Sequence, residues 1–194
     1  MRGQFKPNPQ VVPNTTIIPG LFAHYLSRTV GIYYGVMGGN NAITATSAVT
    51  ASRLYTIPFL VLTAETFDRI GIYVQTGAAG SARLGIYRDV GSAPGSLLLD
   101  AGEIDATDAG AKEIVINQTL QPGLYWLAIN FNSTPKVMGP TSVSNLTGMG
   151  IDSIGLINAG SSVYYTTSAY GALPNPHPAP TVGTVCPGIL LRRA

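Results

Sequence analysis

From residue 53 to residue 131 the chain runs in short alternating stretches. In Arg53–Leu62, Tyr55, Ile57, Phe59 and Val61 fall on one face. In Arg69–Val74, Ile70, Ile72 and Val74 point one way, and Gly71 and Tyr73 the other. In Ala82–Arg88, Ala82, Leu84 and Ile86 share a face opposite Arg83, Gly85 and Tyr87. Side chains on a strand alternate with period two, so each stretch predicts a half-buried strand. Gly, Pro, Asp and Asn cut the stretches apart, Pro94-Gly95 and Gln121-Pro122-Gly123 most plainly. Short β-branched and aromatic runs at such spacing predict an antiparallel β-sandwich.

Several places depart from simple alternation. Pro58 cannot donate to a ladder, which predicts an edge or bulged strand. Leu124–Phe131 is apolar on both faces, with Leu124, Trp126 and Ala128 on one and Tyr125, Leu127, Ile129 and Phe131 on the other. That predicts a central strand covered by a second layer or by a neighbouring subunit. Ser96–Leu99 and Lys112–Ile116 read as short strands around an acidic loop, Ala101–Gly110. Residues 132–180 are rich in Gly, Ser, Asn and Pro and predict one or two strands between long loops. Thr181–Arg193 reads as a closing strand interrupted by Pro187-Gly188. Nothing in the pattern predicts a helix, an internal repeat or a heptad.

The first 52 residues behave differently. Residues 1–28 carry Pro7, Pro9, Pro13 and Pro19, which favour extended backbone. They also carry Phe5, Val11, Val12, Ile17, Ile18, Leu21 and Phe22, more apolar residues than a solvated linker needs. The expectation is an extended docking arm that packs on another chain. Residues 29–52 read as a connecting loop or short hairpin, turning at Gly38-Gly39-Asn40-Asn41. The sandwich domain is then expected over 53–194.

Composition sharpens this. Charged residues are 10% of the 194, against about 25% in an ordinary soluble domain. Low charge suggests that partners cover much of the surface. Residues 1–64 contain four bases, Arg2, Lys6, Arg28 and Arg53, and no acid; all nine acids lie between Glu65 and Asp152. These bases are too sparse for a phosphate-binding patch, so nucleic acid is not an expected partner. No run approaches the roughly 18 apolar residues of a membrane span, so a membrane is not expected either. MRGQFKPNPQ has no continuous apolar signal core, which predicts use without Sec export. Cys186 is the single cysteine and reads as a buried, inert thiol.

Little in the chain is arranged for catalysis. His24 and His177 are far apart, and no metal-ligand spacing, phosphate loop or nucleophile elbow occurs. No catalytic residue, metal or cofactor is expected. Asp100, Glu103, Asp105 and Asp108 lie close together and read as a solvated acidic loop. A paired-carboxylate glycosidase using Glu103 and Asp105 is the rival from another class. If a metal bound, Asp89 or this loop would hold it. Tyr73 and Tyr87, expected on outward faces of adjacent strands, and Trp126 are the candidate glycan or interface aromatics. The competing reading packs the tyrosines under a loop or against a second subunit.

The series RLYTIPFLV, TFDRIGIYV, SARLGIYRD, PGSLLLDAG and LQPGLYWLAINF resembles a β-sandwich module of tailed-phage and prophage structural proteins. The resemblance spans roughly residues 50–135 and rests on strands and turns, not on a catalytic signature. It implies a jelly-roll-like or carbohydrate-binding-module-like fold, frequently trimeric, in capsid decoration proteins, spikes, tail fibres or tail tips. The implied role is a non-enzymatic virion protein assembled in the host bacterial cytoplasm. Its partners would be other virion proteins and further copies of itself, most plausibly as a homotrimer. The alternative is a tail-fibre or tail-tip protein that binds a host cell-surface glycan.

Overall fold

The computed structural model describes residues 28–35, 43–140, 163–183 and 185–194, with backbone alone at 43–48 and 140. The docking-arm residues Phe5 to Phe22, His24 and the turn at Gly38–Asn41 lie outside the described residues.

Among these residues the protein is all-β: two six-stranded antiparallel sheets stacked as a sandwich. The first sheet is organised around β4 (Glu65–Thr76). One edge of β4 pairs with β7 (Gly110–Leu120). The other pairs first with β12 (Leu190–Arg193) and then, at its far end, with β9 (Lys136–Pro140). β1 (Tyr33–Tyr34) adds to β12, and β2 (Ile43–Ala48) adds to β9. The second sheet has the order β11 (Thr181–Gly183), β10 (Val163–Thr167), β3 (Arg53–Val61), β8 (Gly123–Phe131), β5 (Ser81–Asp89), β6 (Pro94–Asp105).

The alternation sorts as the pattern demands. Tyr55, Ile57, Phe59 and Val61 of β3, Ile70, Ile72 and Val74 of β4, and Ala82, Leu84 and Ile86 of β5 meet in one buried core. Leu127, Ile129 and Phe131 of β8 join them. Each fully buried side chain of this size contributes about 1.5–3 kcal/mol relative to exposure. Phe67 also points inward, although it is three residues before Ile70. A bulge between Phe67 and Arg69 absorbs the phase change. Pro58 opposes Trp126 of β8, while β10 covers only Arg53–Thr56. Among the described residues its other side is an open edge, where a missing N–H costs nothing.

Three sequence expectations are corrected. Among the described residues of 29–52 there is no hairpin pairing, and the segment is more than a loop: β1 and β2 join the first sheet on separate partners. β6 is twelve residues long, not a short strand at 96–99. It runs through Asp105, so Asp100, Glu103 and Asp105 lie on a strand and not in a loop. Thr181–Arg193 is two strands in opposite sheets, because the chain crosses from one layer to the other between Gly183 and Leu190.

β8 is buried on both faces, as expected, and the opposite sheet covers one of them. Its Trp126 and Ala128 face away from the main core into a second cluster with Leu54, Tyr87 and Leu173. The cover is residues 168–180 of the same chain, a strap lying across the outer face of the second sheet. Asn130 donates from Nδ2 to the Ser168 and Ala169 carbonyls at 3.3 and 3.2 Å. Leu97 N–H donates to Asn175 Oδ1 at 3.0 Å, and His177 N–H to the Gly95 carbonyl at 2.8 Å. No second subunit is needed to bury this face.

Candidate functional site

The pentapeptide Arg-x-Gly-Ile-Tyr occurs twice, as Arg69–Tyr73 on β4 and Arg83–Tyr87 on β5. β4 and β5 belong to different sheets, so Tyr73 and Tyr87 are not neighbours on one platform as the sequence suggested. The two copies are nevertheless built alike. In each, the residues flanking the glycine, Ile70 and Ile72 or Leu84 and Ile86, enter the shared core. In each, an acid on the next strand stands opposite the glycine: Glu113 pairs with Gly71, and Asp100 with Gly85. In each, the arginine approaches that acid. Arg83 Nε lies 2.9 Å from Asp100 Oδ1, and Arg69 Nε lies 4.0 Å from Glu113 Oε2.

The copy on the second sheet is closed. Tyr87 is 0% exposed. Its hydroxyl donates to the Pro174 carbonyl at 2.8 Å, and burial pushes its pKa up. The space left by the missing side chain of Gly85 is filled, since a Cβ there would strike Leu173 Cδ1. Leu173 N–H donates to Asp100 Oδ2 at 3.1 Å. His177 stands edge-on to Tyr87, with ring centres 5.0 Å apart. Its Nδ1 bonds the Pro178 carbonyl at 2.5 Å, so Nδ1 carries the proton; Nε2 is buried without a partner among the described residues. Burial therefore holds the His177 pKa below its ordinary value.

Trp126 is also 0% exposed. Its indole N–H donates to Asp89 Oδ1 at 2.8 Å, and Tyr164 packs 5.1 Å away. Tyr87 and Trp126 are thus corrected from candidate ligand-facing aromatics to covered ones. A feature some ninety residues downstream of Tyr87 covers them, which local pattern cannot show.

The carboxylates on β6 are engaged by the fold. Asp100 accepts from Arg83, Gly102 N–H and Leu173 N–H. Glu103 accepts from Arg83 at 3.0 Å. Asp105 accepts from Thr107, and this holds its pKa low. Among the described residues, no group of three or more His, Cys, Asp or Glu is placed to hold a metal ion.

The copy on the first sheet is open. Tyr73 is 47% exposed. Above Gly71 lies a hollow of about 170 Å³, lined by Tyr33, Gly71, Ile72, Tyr73, Ala111, Glu113 and Leu190. Gly71 makes the floor, and it must be glycine: a Cβ would sit 2.6 Å from the Lys112 carbonyl oxygen and 3.1 Å from Glu113 Cγ. Tyr33 walls one side, its hydroxyl donating to Glu113 Oε1 at 2.5 Å; that bond raises the Tyr33 pKa. Arg192 sits 5.9 Å from the Tyr33 ring centre and grips Asp68 at 2.8 and 2.6 Å, holding the Asp68 pKa low. The hollow is smaller than the roughly 300–1,000 Å³ of drug-sized sites and suits one ring or one side chain. Tyr33, Gly71 and Glu113 were not foreseen as site residues. The recurring pentapeptide, where no repeat was expected, was the signal that could have found Gly71.

Where the described residues begin, Arg28 is fixed. Its Nη1 pairs with Glu65 Oε2 at 2.7 Å, and its main-chain N–H donates to Glu65 Oε1 at 3.1 Å. Nη2 donates to the Leu60 carbonyl, and the guanidinium carbon lies 4.6 Å from the Phe59 ring centre. The side chains of Arg28 and Glu65 are 11% and 2% exposed.

Comparison of the chain with protein-family models, with curated proteins and with solved structures finds no match.

Proposed function

We propose that this chain is a non-enzymatic structural protein of a phage virion, a capsid decoration or spike protein docked through residues 1–28. The observation that carries the reading is the Arg28 anchor. Burying a guanidinium and a carboxylate is costly unless both are fully partnered, and a solvated linker has no use for it. Here the pair, a main-chain bond and an aromatic face hold fixed the point where the arm leaves the body. Glu103 and Asp105, the pair named for hydrolysis, are committed to Arg83 and Thr107, which favours a structural role over a glycosidase.

Deleting residues 1–27 while keeping Arg28 tests this. The body should remain folded, and attachment to particles, read by gold-labelled antibody on virions, should vanish. Attachment that survives the deletion would sink the proposal. Gold over the head would fit decoration; gold at the tail would favour the host-glycan alternative, which retains Tyr73 of its three aromatics.

A further inference from the structure

The two Arg-x-Gly-Ile-Tyr copies share a scaffold and differ in one respect: one has an occupant. The occupant of the closed copy is Leu173-Pro174-Asn175-Pro176, whose Leu173 fills the hollow over Gly85, whose Pro174 accepts from Tyr87, and whose Asn175 accepts from Leu97. The tripeptide Pro-Asn-Pro occurs at one other place in this chain, Pro7-Asn8-Pro9 in the arm, preceded by Phe5 and Lys6.

We infer that the open groove between Tyr33 and Tyr73 takes the Phe5–Pro9 segment of a neighbouring copy of this chain, as the strap takes the matching face of the second sheet. This rests on the arm-docking reading above and names the surface that receives the arm.

Three further observations support it. Proline-rich segments are held near extended polyproline geometry before they bind, and aromatic-lined grooves are their usual receptors. Charge agrees: residues 1–27 contain Arg2 and Lys6 and no acid, and the groove carries Glu113. Asp100 in the closed copy is saturated by Arg83 and two main-chain N–H groups, whereas Arg69 stands 4.0 Å from Glu113. Lys6 takes the place of Leu173, its stem over Gly71 and its ammonium at Glu113.

Reach agrees too. The arm leaves beside Glu65, and Gly71 lies six residues along β4, about 20 Å away. The 21 residues from Pro7 to Arg28 span about 65 Å when extended. Because arm exit and groove are different patches, the contact between copies is head-to-tail, and a closed ring uses every arm and every groove once.

The test uses the full chain. A ¹⁵N-labelled chain with Gln10→p-benzoylphenylalanine is equilibrated with unlabelled wild-type chain, irradiated, digested and analysed by mass spectrometry. The expected products join the labelled residue-10 peptide to unlabelled peptides carrying Tyr73 or Ala111. Their yield should fall about five- to tenfold when the unlabelled chain carries Tyr73→Ala or Glu113→Gln, both at exposed positions. Products within single labelled chains only, or on other surfaces, would overturn the inference. So would binding on a glycan array that Tyr73→Ala abolishes while no product maps to the groove. Groove products from a chain that fails to attach to virions would keep this inference and overturn the virion reading alone.

Discussion

Tyr73 and Tyr87 close identical tripeptides, each behind an arginine and each facing an acid across a glycine, yet one is half exposed and the other wholly buried. Core contacts and the acid opposite the glycine are matched; the neighbouring ladders are not, since β5–β6 shifts register at Gly85 and Tyr87 and β4–β7 does not at Gly71 and Tyr73. The strap explains the difference in exposure. A local sequence fixes which way a side chain points; a distant one fixes whether solvent reaches it.

The sharpest break of this comparison is a pair of truncations. Tyr87→Ala removes a ring packed against Leu173 and His177 and should cost about 3–5 kcal/mol. Tyr73→Ala should lie within about 0.5 kcal/mol of the parent. Urea unfolding followed by the fluorescence of Trp126, the single tryptophan, reads both. Equal costs at dilutions where copies are apart would mean that the chain itself covers Tyr73.

The acids give a second, smaller contrast. Asp100→Asn weakens acceptance from Arg83, Gly102 and Leu173 at once and should cost about 1–3 kcal/mol. Glu113→Gln disturbs one tyrosine bond and one loose ion pair, and should cost under about 1 kcal/mol. A reversed order would show that the two constellations are not energetically homologous.

Acid should open the closed copy selectively. The folded pKa of His177 is lowered below 6.5 because protonation would place a charge and an unaccepted N–H at buried Nε2. Below pH 6.5 the unfolded chain therefore binds more protons than the folded one. Stability is complete above pH 6.5 and falls as pH drops toward the folded pKa. Trp126 emission should shift red over that range, and His177→Gln should flatten the response. The groove lining contains no histidine, so Tyr73→Ala should leave this response unchanged.

The smallest expected effect is none. Cys186 lies in the core between the sheets, and burial pushes its pKa up to about 12. Thiol reagents should leave it untouched at pH 5.5 even where Trp126 has shifted. Simultaneous labelling would mean that strap release and global unfolding are one event, and the two faces could then not be treated separately.

Legibility followed the range of the interactions. Ile70, Ile72, Leu84 and Ile86 were readable because period-two alternation is local. The acidic segment was misread because Gly and Asp mimic loop composition, while the β5–β6 register shifts let β6 carry them within a ladder. Tyr33 was invisible because β1 is two residues long and shows no alternation. Glu113 was visible as a strand residue, but its place opposite Gly71 is set by pairing. The cover on Trp126 was half legible: both faces of β8 announced burial, and only the fold could say that the lid was the chain's own.

Arg28 has a mechanical meaning as well. β1 is tied to β12 by two residue pairs, so tension drawn along the arm would unzip it with little resistance. The bonds from Arg28 to Glu65 and Leu60 meet the pull first, like a rope turned around a cleat, and divert it into the long strands β3 and β4. A pull applied at Arg28 would be borne without fraying β1.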